Sequence, residues 1–208
     1  MADDIPRVLS VQSHVVSGYV GNKCVTFPLQ VSQSVNGFEV DTINSVQFSN
    51  HTGYPQWKGQ VLKSTELEDL YVGLKLNRLT KYSFVLTGYV ADESFLSKLA
   101  DEIHELHSEN SNMYYICDPV MGDDGHFYVA DSLLPVYRNI ISLADVITPN
   151  QFEAEALACM KIKTEEDVIS VLSALHRLGP KMVVITSTNL AHSEDVLYGY
   201  GGEMIGNL

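Results

Sequence analysis

The chain has 208 residues, with 13 Lys and Arg against 26 Asp and Glu, a formal net charge of −13. Apolar residues at 45% and charged residues at 19% fit a packed globular protein and exclude a disordered one. No apolar run reaches the ~18–20 residues a membrane helix needs, the acidic opening Met1-Ala-Asp-Asp lacks a signal-peptide layout, and the charge balance disfavours nucleic acid. A soluble, cytoplasmic protein without membrane or nucleic-acid partners is therefore expected, as one domain over residues 1–208. Cys24, Cys117 and Cys159 form no CxxC pair, so neither a disulfide framework nor a zinc site is expected.

In chain order, strands are predicted at Arg7–Ser13, Phe38–Val46, Tyr82–Leu86, Met113–Cys117, Asp145–Ile147 and Met182–Ile185. Several are continuously apolar, the pattern of strands covered on both faces. A helix-like segment containing Pro28 starts at Asn22. Capping-box patterns at Thr65–Glu68 and Thr164–Asp167 mark helix starts. In the stretch Asp92–Asn110, Phe95, Leu96, Leu99, Ile103 and Leu106 share one helical face. In the stretch Thr164–Leu178, Val168, Val171, Leu172, Leu175 and Leu178 do the same, and Gly179-Pro180 ends the helix. Alternating strands and helices predict an α/β fold with a mostly parallel sheet.

Each strand runs into a small polar, acidic or glycine-containing turn. These turns are Gln12-Ser13-His14, Gln47–Tyr54, Thr87-Gly88-Tyr89, Asp118-Pro119-Val120, Thr148-Pro149-Asn150 and Thr186-Ser187-Thr188. Ligands of open α/β sheets bind outside the carboxyl ends of the strands, so this series predicts a binding edge. Neither a P-loop nor a strand-linked GxGxxG is present. Asp118 closes an apolar strand, where an unpaired carboxylate is costly, and a cation or other positive partner is expected beside it. Gly122-Asp123-Asp124-Gly125 reads equally as a solvated turn or a mobile acidic flap. Glu153 stands three residues after Asn150, which is also capping-box spacing. His104 and His107 are read as surface residues of a charged helix, and Trp57 as a packing residue. By themselves these residues describe an α/β protein for a polar small molecule, such as a nucleotide with Mg²⁺.

The same residues resemble the pyridoxal kinase family of the ribokinase-like superfamily. The matching strings are Arg7–His14, Gly18–Asn22, Thr26–Gln30, Asn44–Tyr54, Trp57–Gln60, Leu86–Tyr89, Cys117–Val120, Asp145–Glu155 and Val184–Ser187. The resemblance implies a three-layer α/β/α fold with a mostly parallel central sheet, and ATP-dependent phosphorylation of the 5′-hydroxymethyl group of pyridoxal, pyridoxine or pyridoxamine. It implies that Ser13 and Thr52 bond the substituents of the pyridine ring, and that Val20, Val46, Phe48, His51 and Tyr89 wall it. Asp118 would lie by the ATP phosphates and the metal, with Glu153 reaching that metal through water. Asp123 and Tyr128 would belong to a closing loop, Tyr128 on the substrate side. Thr148, Asn150, Thr186 and Ser187 would contact ATP. A divalent cation such as Mg²⁺, a monovalent cation such as K⁺ or Na⁺ near Asp118 and Thr186, and a homodimer complete what the family implies.

Three departures from the family pattern stand out. Ser32–Asn36 lengthens the link between the first helix and the second strand, and the loop Gly122–Tyr128 is shorter than in animal members. The family's Gly-Thr-Gly-Asp motif, which supplies the anion hole and the base for phosphoryl transfer, does not occur, and the glycine-rich Gly199–Glu203 has no following helix to replace it. The fold is thus expected to be incomplete at its C-terminus, with Met182–Ile185 left as an unpaired, association-prone edge and kinase activity low or absent. A non-catalytic vitamin-B6-binding or dimerising short form is the alternative expectation.

Overall fold

A computed structural model describes residues 5–31, 37–191, 193 and 195–205. The predicted long link at Ser32–Asn36 lies outside the described residues. The chain divides into two compact units, Met1–Tyr115 and Ile116–Leu208.

In the first unit the elements are β1 (Arg7–Val15), α1 (Asn22–Val31), β2 (Glu39–Phe48), β3 (Gly59–Val61), α2 (Ser64–Leu76), β4 (Phe84–Thr87) and α3 (Glu93–Glu109). Strand β1 lies between β2 and β4, parallel to both, and β3 runs antiparallel on the far side of β2. Val8, Leu9, Val11 and Val15 of β1 are all buried, as a strand covered on both faces requires. Full burial of each is worth about 1.5–3 kcal/mol. The β1–β2 pairing shifts register between Gln12 and Ser13: Gln12 opposes Asn44, and Ser13 opposes Val46. The apolar face predicted for α3 is buried at Phe95, Leu96, Leu99, Ile103 and Leu106, and Asp92 caps the helix by accepting from the Phe95 N–H at 3.0 Å.

The start of α2 differs from the sequence expectation. Thr65 lies inside the helix, and it is Glu66 whose carboxylate accepts the Lys63 N–H at 2.8 Å. The reciprocal bond of a box is one a cationic lysine cannot make, so residue spacing alone misplaced this start.

The second unit holds β6 (Gly122–Asp123), β7 (His126–Phe127), α4 (Leu133–Ile141), β8 (Val146–Ile147), α5 (Gln151–Ala158), α6 (Glu165–His176), β9 (Met182–Thr188) and β10 (Tyr198–Glu203). The chain passes between the units within β5 (Tyr114–Cys117), whose Ile116 and Cys117 pair in parallel with Val146 and Ile147 of β8. Strand β8 pairs in parallel with β9. The expected unpaired edge at Met182–Ile185 is not observed. Strand β10 runs antiparallel along β9 and opposes Tyr200 to Ile185 and Glu203 to Met182. Its glycines are therefore spent on a strand. The capping box at Thr164 forms as expected, with Asp167 N–H donating to Thr164 Oγ1 at 3.2 Å and Thr164 N–H to Asp167 Oδ2 at 2.9 Å. Among the described residues no helix is long and apolar enough to cross a membrane.

Candidate functional site

The candidate residues fall into two sets, one in each unit. In the first unit, Val15, Val46 and Phe48 form a buried apolar cluster against which Val20 and Tyr89 pack. Four of the five predicted wall residues are thus brought together, and Val15 is one that sequence reasoning missed. Burial raises the Tyr89 phenol above its ordinary range. Ser13 is half-buried at the end of β1. Gly21 stands so close to it that a Cβ there would lie 2.2 Å from the Ser13 carbonyl and 2.6 Å from its hydroxyl, and its φ of +47° is left-handed. Only glycine lets the start of α1 approach Ser13 in this way.

His51 and Thr52 lie on an exposed loop, outside the apolar cluster. The loop is nonetheless tied: Asn50 Nδ2 donates to the Gln56 carbonyl at 3.0 Å, and Lys58 N–H to Ser49 Oγ at 3.1 Å. His51 Nδ1 accepts the Gly53 N–H at 3.1 Å. Trp57, expected to pack, is 45% exposed yet lays its ring on Phe48 at 4.5 Å between centroids.

A polar cluster beneath this wall had no counterpart in the sequence reading. Asn22 is 3% exposed and the only buried residue of α1. Its amide donates to the Ile43 carbonyl at 2.9 Å and to Asn44 Oδ1 at 2.8 Å. Its Oδ1 accepts from Ser10 Oγ at 2.7 Å, and Ser10 Oγ accepts in turn from Gln12 Nε2 at 2.9 Å. Nothing in residue spacing marked this cluster; only the buried polar inventory reveals it.

In the second unit, Asp118 follows β5, and burial pushes its carboxyl up to about 6 while a hydrogen bond with Thr148 pulls it down. Glu153 is 3% exposed. One of its oxygens accepts the N–H groups of Met121 at 2.9 Å and Gly122 at 3.4 Å, and the other accepts the Asn150 N–H at 2.9 Å. Asn150 Oδ1 accepts the Glu153 N–H at 2.9 Å, and its amide donates to the Gly122 carbonyl at 2.8 Å. Asn150 and Glu153 thus form the capping box of α5 and also grip the root of the hairpin β6–β7. Burial, assisted by the negative charge of Asp118, raises the Glu153 carboxyl to about 7 against the pull of these N–H groups. No cluster of three or more His, Cys, Asp or Glu suited to a metal occurs among the described residues. The oxygen donors present are Asp118 and the remaining lone pairs of Glu153.

Gly122-Asp123-Asp124-Gly125 belongs to the hairpin β6–β7, closed by a two-residue turn. Asp124 and Gly125 have φ of 47° and 80°, the positive values a tight Asp-Gly hairpin turn demands. The dipeptide itself was the available signal. Asp123 and Tyr128 lie exposed on this hairpin and its exit, and Tyr128 N–H returns to the Met121 carbonyl at 2.8 Å. Thr186 is exposed at the middle of β9 with its N–H on the Pro149 carbonyl at 2.9 Å, and Ser187 is half-buried beside it.

The strand and helix order and the residues at the strand ends define an α/β fold of the ribokinase-like kind, with a mixed, mostly parallel sheet. The model of the family described as phosphomethylpyrimidine kinase matches residues 59–206. The chain is 56% identical over 204 residues to a pyridoxal kinase of Ovis aries, an alignment covering 95% of this chain and 64% of that protein. It is 56% identical over 189 residues to a pyridoxal kinase of Homo sapiens, covering 88% and 59%. It superposes with a TM-score of 0.86 and 39% identity on a pyridoxal kinase from Leishmania donovani in complex with ADP and pyridoxamine, covering 92% of this chain and 67% of that one. The chain therefore belongs to the phosphomethylpyrimidine kinase family and, within it, to the pyridoxal kinases. It spans about 64% of the length of the Ovis aries relative.

Proposed function

We propose that the protein to which this chain belongs transfers the γ-phosphoryl group of ATP to the 5′-hydroxymethyl group of pyridoxal, pyridoxine or pyridoxamine. On this reading the two units are parts of one kinase domain. The first unit takes the vitamer, with Val20, Val46, Phe48, His51 and Tyr89 against the flat ring and Ser13 and Thr52 for its polar substituents. The second unit takes the nucleotide through Asp118, Asp123, Thr148, Asn150, Thr186 and Ser187. The observation that carries the reading is the joining of Val20, Val46, Phe48 and Tyr89 into one apolar surface in a chain 56% identical to pyridoxal kinases.

A divalent cation such as Mg²⁺ suits the acidic pair in the second unit. Asp118 and Glu153 both hold carboxyls raised by burial with no basic side chain among the causes, and kinases commonly bind Mg²⁺ through one or two carboxylates plus the nucleotide phosphates. Asp118 would be the direct ligand, and Glu153 would act through water. When bound, the cation neutralises charge on the transferring phosphoryl group. A monovalent cation, K⁺ or Na⁺, is proposed near Asp118 and Thr186. The compartment proposed is the cytoplasm, in keeping with three cysteines that form no disulfide, and the assembly a homodimer, for which the exposed Phe27 and Val31 of α1 offer apolar surface.

Isothermal titration of the chain with pyridoxal and, separately, with ADP and Mg²⁺ tests this reading. Saturable binding of both is expected, with Thr52→Ala weakening pyridoxal by about fivefold, the worth of one ordinary hydrogen bond. Absence of saturable pyridoxal binding by the unaltered chain would overturn it.

A further inference from the structure

The β1–β2 register shift lies where the proposed ring-binding wall begins, and the side chain that spans it belongs to neither strand. Before the shift Gln12 opposes Asn44; after it Ser13 opposes Val46, and Ser45 is the residue passed over. Side chains alternate faces along a strand, so a one-residue change of register exchanges the residues that meet across a pair. Without the shift Ser13 would oppose Ser45. Because of it, Ser13, His14 and Val15 come opposite Val46, Gln47 and Phe48. Ser45 is held separately, its hydroxyl donating to the Tyr89 carbonyl at 2.5 Å.

Asn22 grips both strands at this point. On the β2 side its amide meets the Ile43 carbonyl and the Asn44 side chain, the last residues before the shift. On the β1 side it meets Ser10 Oγ and, at 3.4 Å, the Gln12 carbonyl. Ser10 is fully buried and Gln12 is 7% exposed, so water does not readily replace these bonds, and a lost partner would leave buried polar groups unsatisfied. Gln12 is itself confined, since a Cβ on Gly88 would come within 2.8 Å of its Oε1. Asn22 is also the first residue of α1, directly after Gly21, which closes on Ser13.

We propose that Asn22 is a positioning residue for the vitamer: by bridging β1 and β2 at their register shift, it sets Ser13 against Val46 and Phe48 and so fixes the ring-binding wall without touching the ligand. This rests on the reading of that wall as the vitamer site. Asn22→Asp is the informative substitution, because it keeps the acceptor for Ser10 and replaces the amide donor facing the Ile43 carbonyl by an oxygen. Leu67→Ala serves as a control for general destabilisation, since Leu67 is fully buried in α2 and makes no part of the wall. Two readouts are taken on the full chain, well below each variant's melting temperature. Amide hydrogen exchange at residues 13–15 and 46–48 is expected to accelerate at least about tenfold in Asn22→Asp relative to Leu67→Ala. Pyridoxal affinity is expected to fall at least about tenfold, with ADP affinity unchanged. Should Asn22→Asp fail to fold, Ser10→Ala removes one link of the same bridge, and both effects are expected at smaller size. Exchange and affinity altered no more than in Leu67→Ala would overturn the proposal. If the unaltered chain does not bind pyridoxal, the functional reading fails, and the exchange measurement alone decides whether Asn22 holds the register.

Discussion

The two units organise their candidate residues with opposite chemistry. In the first, an apolar surface is held in place by neutral amides and hydroxyls: Asn22, Gln12, Ser10 and Ser45. In the second, polar turns are held by carboxyls, with Glu153 gathering three N–H groups and Asp118 facing Thr148. A neutral network keeps its bonds across the whole physiological pH range. A buried carboxyl network does not, because the proton count of its members changes and each ionised form lacks a counter-charge until a cation arrives. Changes of pH and added metal should therefore act on the second site and not on the first.

The largest effect expected comes from a group outside both sites. Glu102 on α3 is 4% exposed, with one carboxyl oxygen unpartnered, and burial raises it to about 8 against an ordinary 4.5, with Lys98 pulling the other way. The folded state keeps this proton while the unfolded state releases it near pH 4.5, so stability falls as pH rises from there to about 8 and the loss is complete above 8. Glu102→Gln should therefore match the unaltered chain at pH 5 and exceed it by up to about 5 kcal/mol at pH 9, measured by urea unfolding. Equal stability at pH 9 would show that the α2–α3 seam admits water.

With Glu102 neutralised, the remaining pH dependence should trace to the second unit. Glu153→Ala is expected to cost about 3 kcal/mol at pH 5, where three N–H groups lose their acceptor at about 1 kcal/mol each. Above pH 7 the penalty should shrink, because the unaltered chain then bears the burden of an ionised, buried Glu153. A penalty that grows with pH would break the comparison. Asp118→Asn follows: burial raises this carboxyl to about 6 from 3.8, so the variant should gain up to about 3 kcal/mol on the unaltered chain above pH 6 and nothing below pH 4. Millimolar Mg²⁺ should raise the melting temperature of the unaltered chain and leave Asp118→Asn unmoved. The smallest effect belongs to the first site. Trp57→Ala removes a ring pair with Phe48 worth about 1 kcal/mol, and its cost should be the same at pH 5 and pH 9.

How much of this the sequence made legible depended on whether the physics was local. The apolar face of α3 and the Thr164 cap repeat at helical spacing, and both stood where they were read. The polar residues near the strand ends were visible, but Gln12–His14 and Thr186–Thr188, read as turns, instead continue β1 and β9, where their backbone pairs with β2 and β10. Asp124-Gly125 was equally local, but reading it as a loop hid a hairpin. The start of α2 moved from Thr65 to Lys63 because a carboxylate three residues on satisfied the N–H there. Asn22 was not legible at all. Its role depends on a register shift between β1 and β2, and on partners 10 to 22 residues away, which no short pattern encodes. Val20, Val46, Phe48 and Tyr89 were named from family resemblance, and packing then joined them. His51 and Thr52 came from the same resemblance, yet they lie on the exposed loop, where packing does not hold them.

The grip of Glu153 and Asn150 on Met121 and Gly122 has a mechanical side. A hinge needs backbone that can turn freely, and the root of the β6–β7 hairpin is fastened to the first turn of α5 by three hydrogen bonds. Phe127 adds an edge-on contact with Phe152 of the same helix at 4.7 Å. The hairpin therefore behaves as a short lever clamped at its base, and the pivot available to it is the Asp124-Gly125 tip. Any displacement of the root must carry the start of α5 along, so that the hairpin and the turn bearing Asn150 move as a single piece.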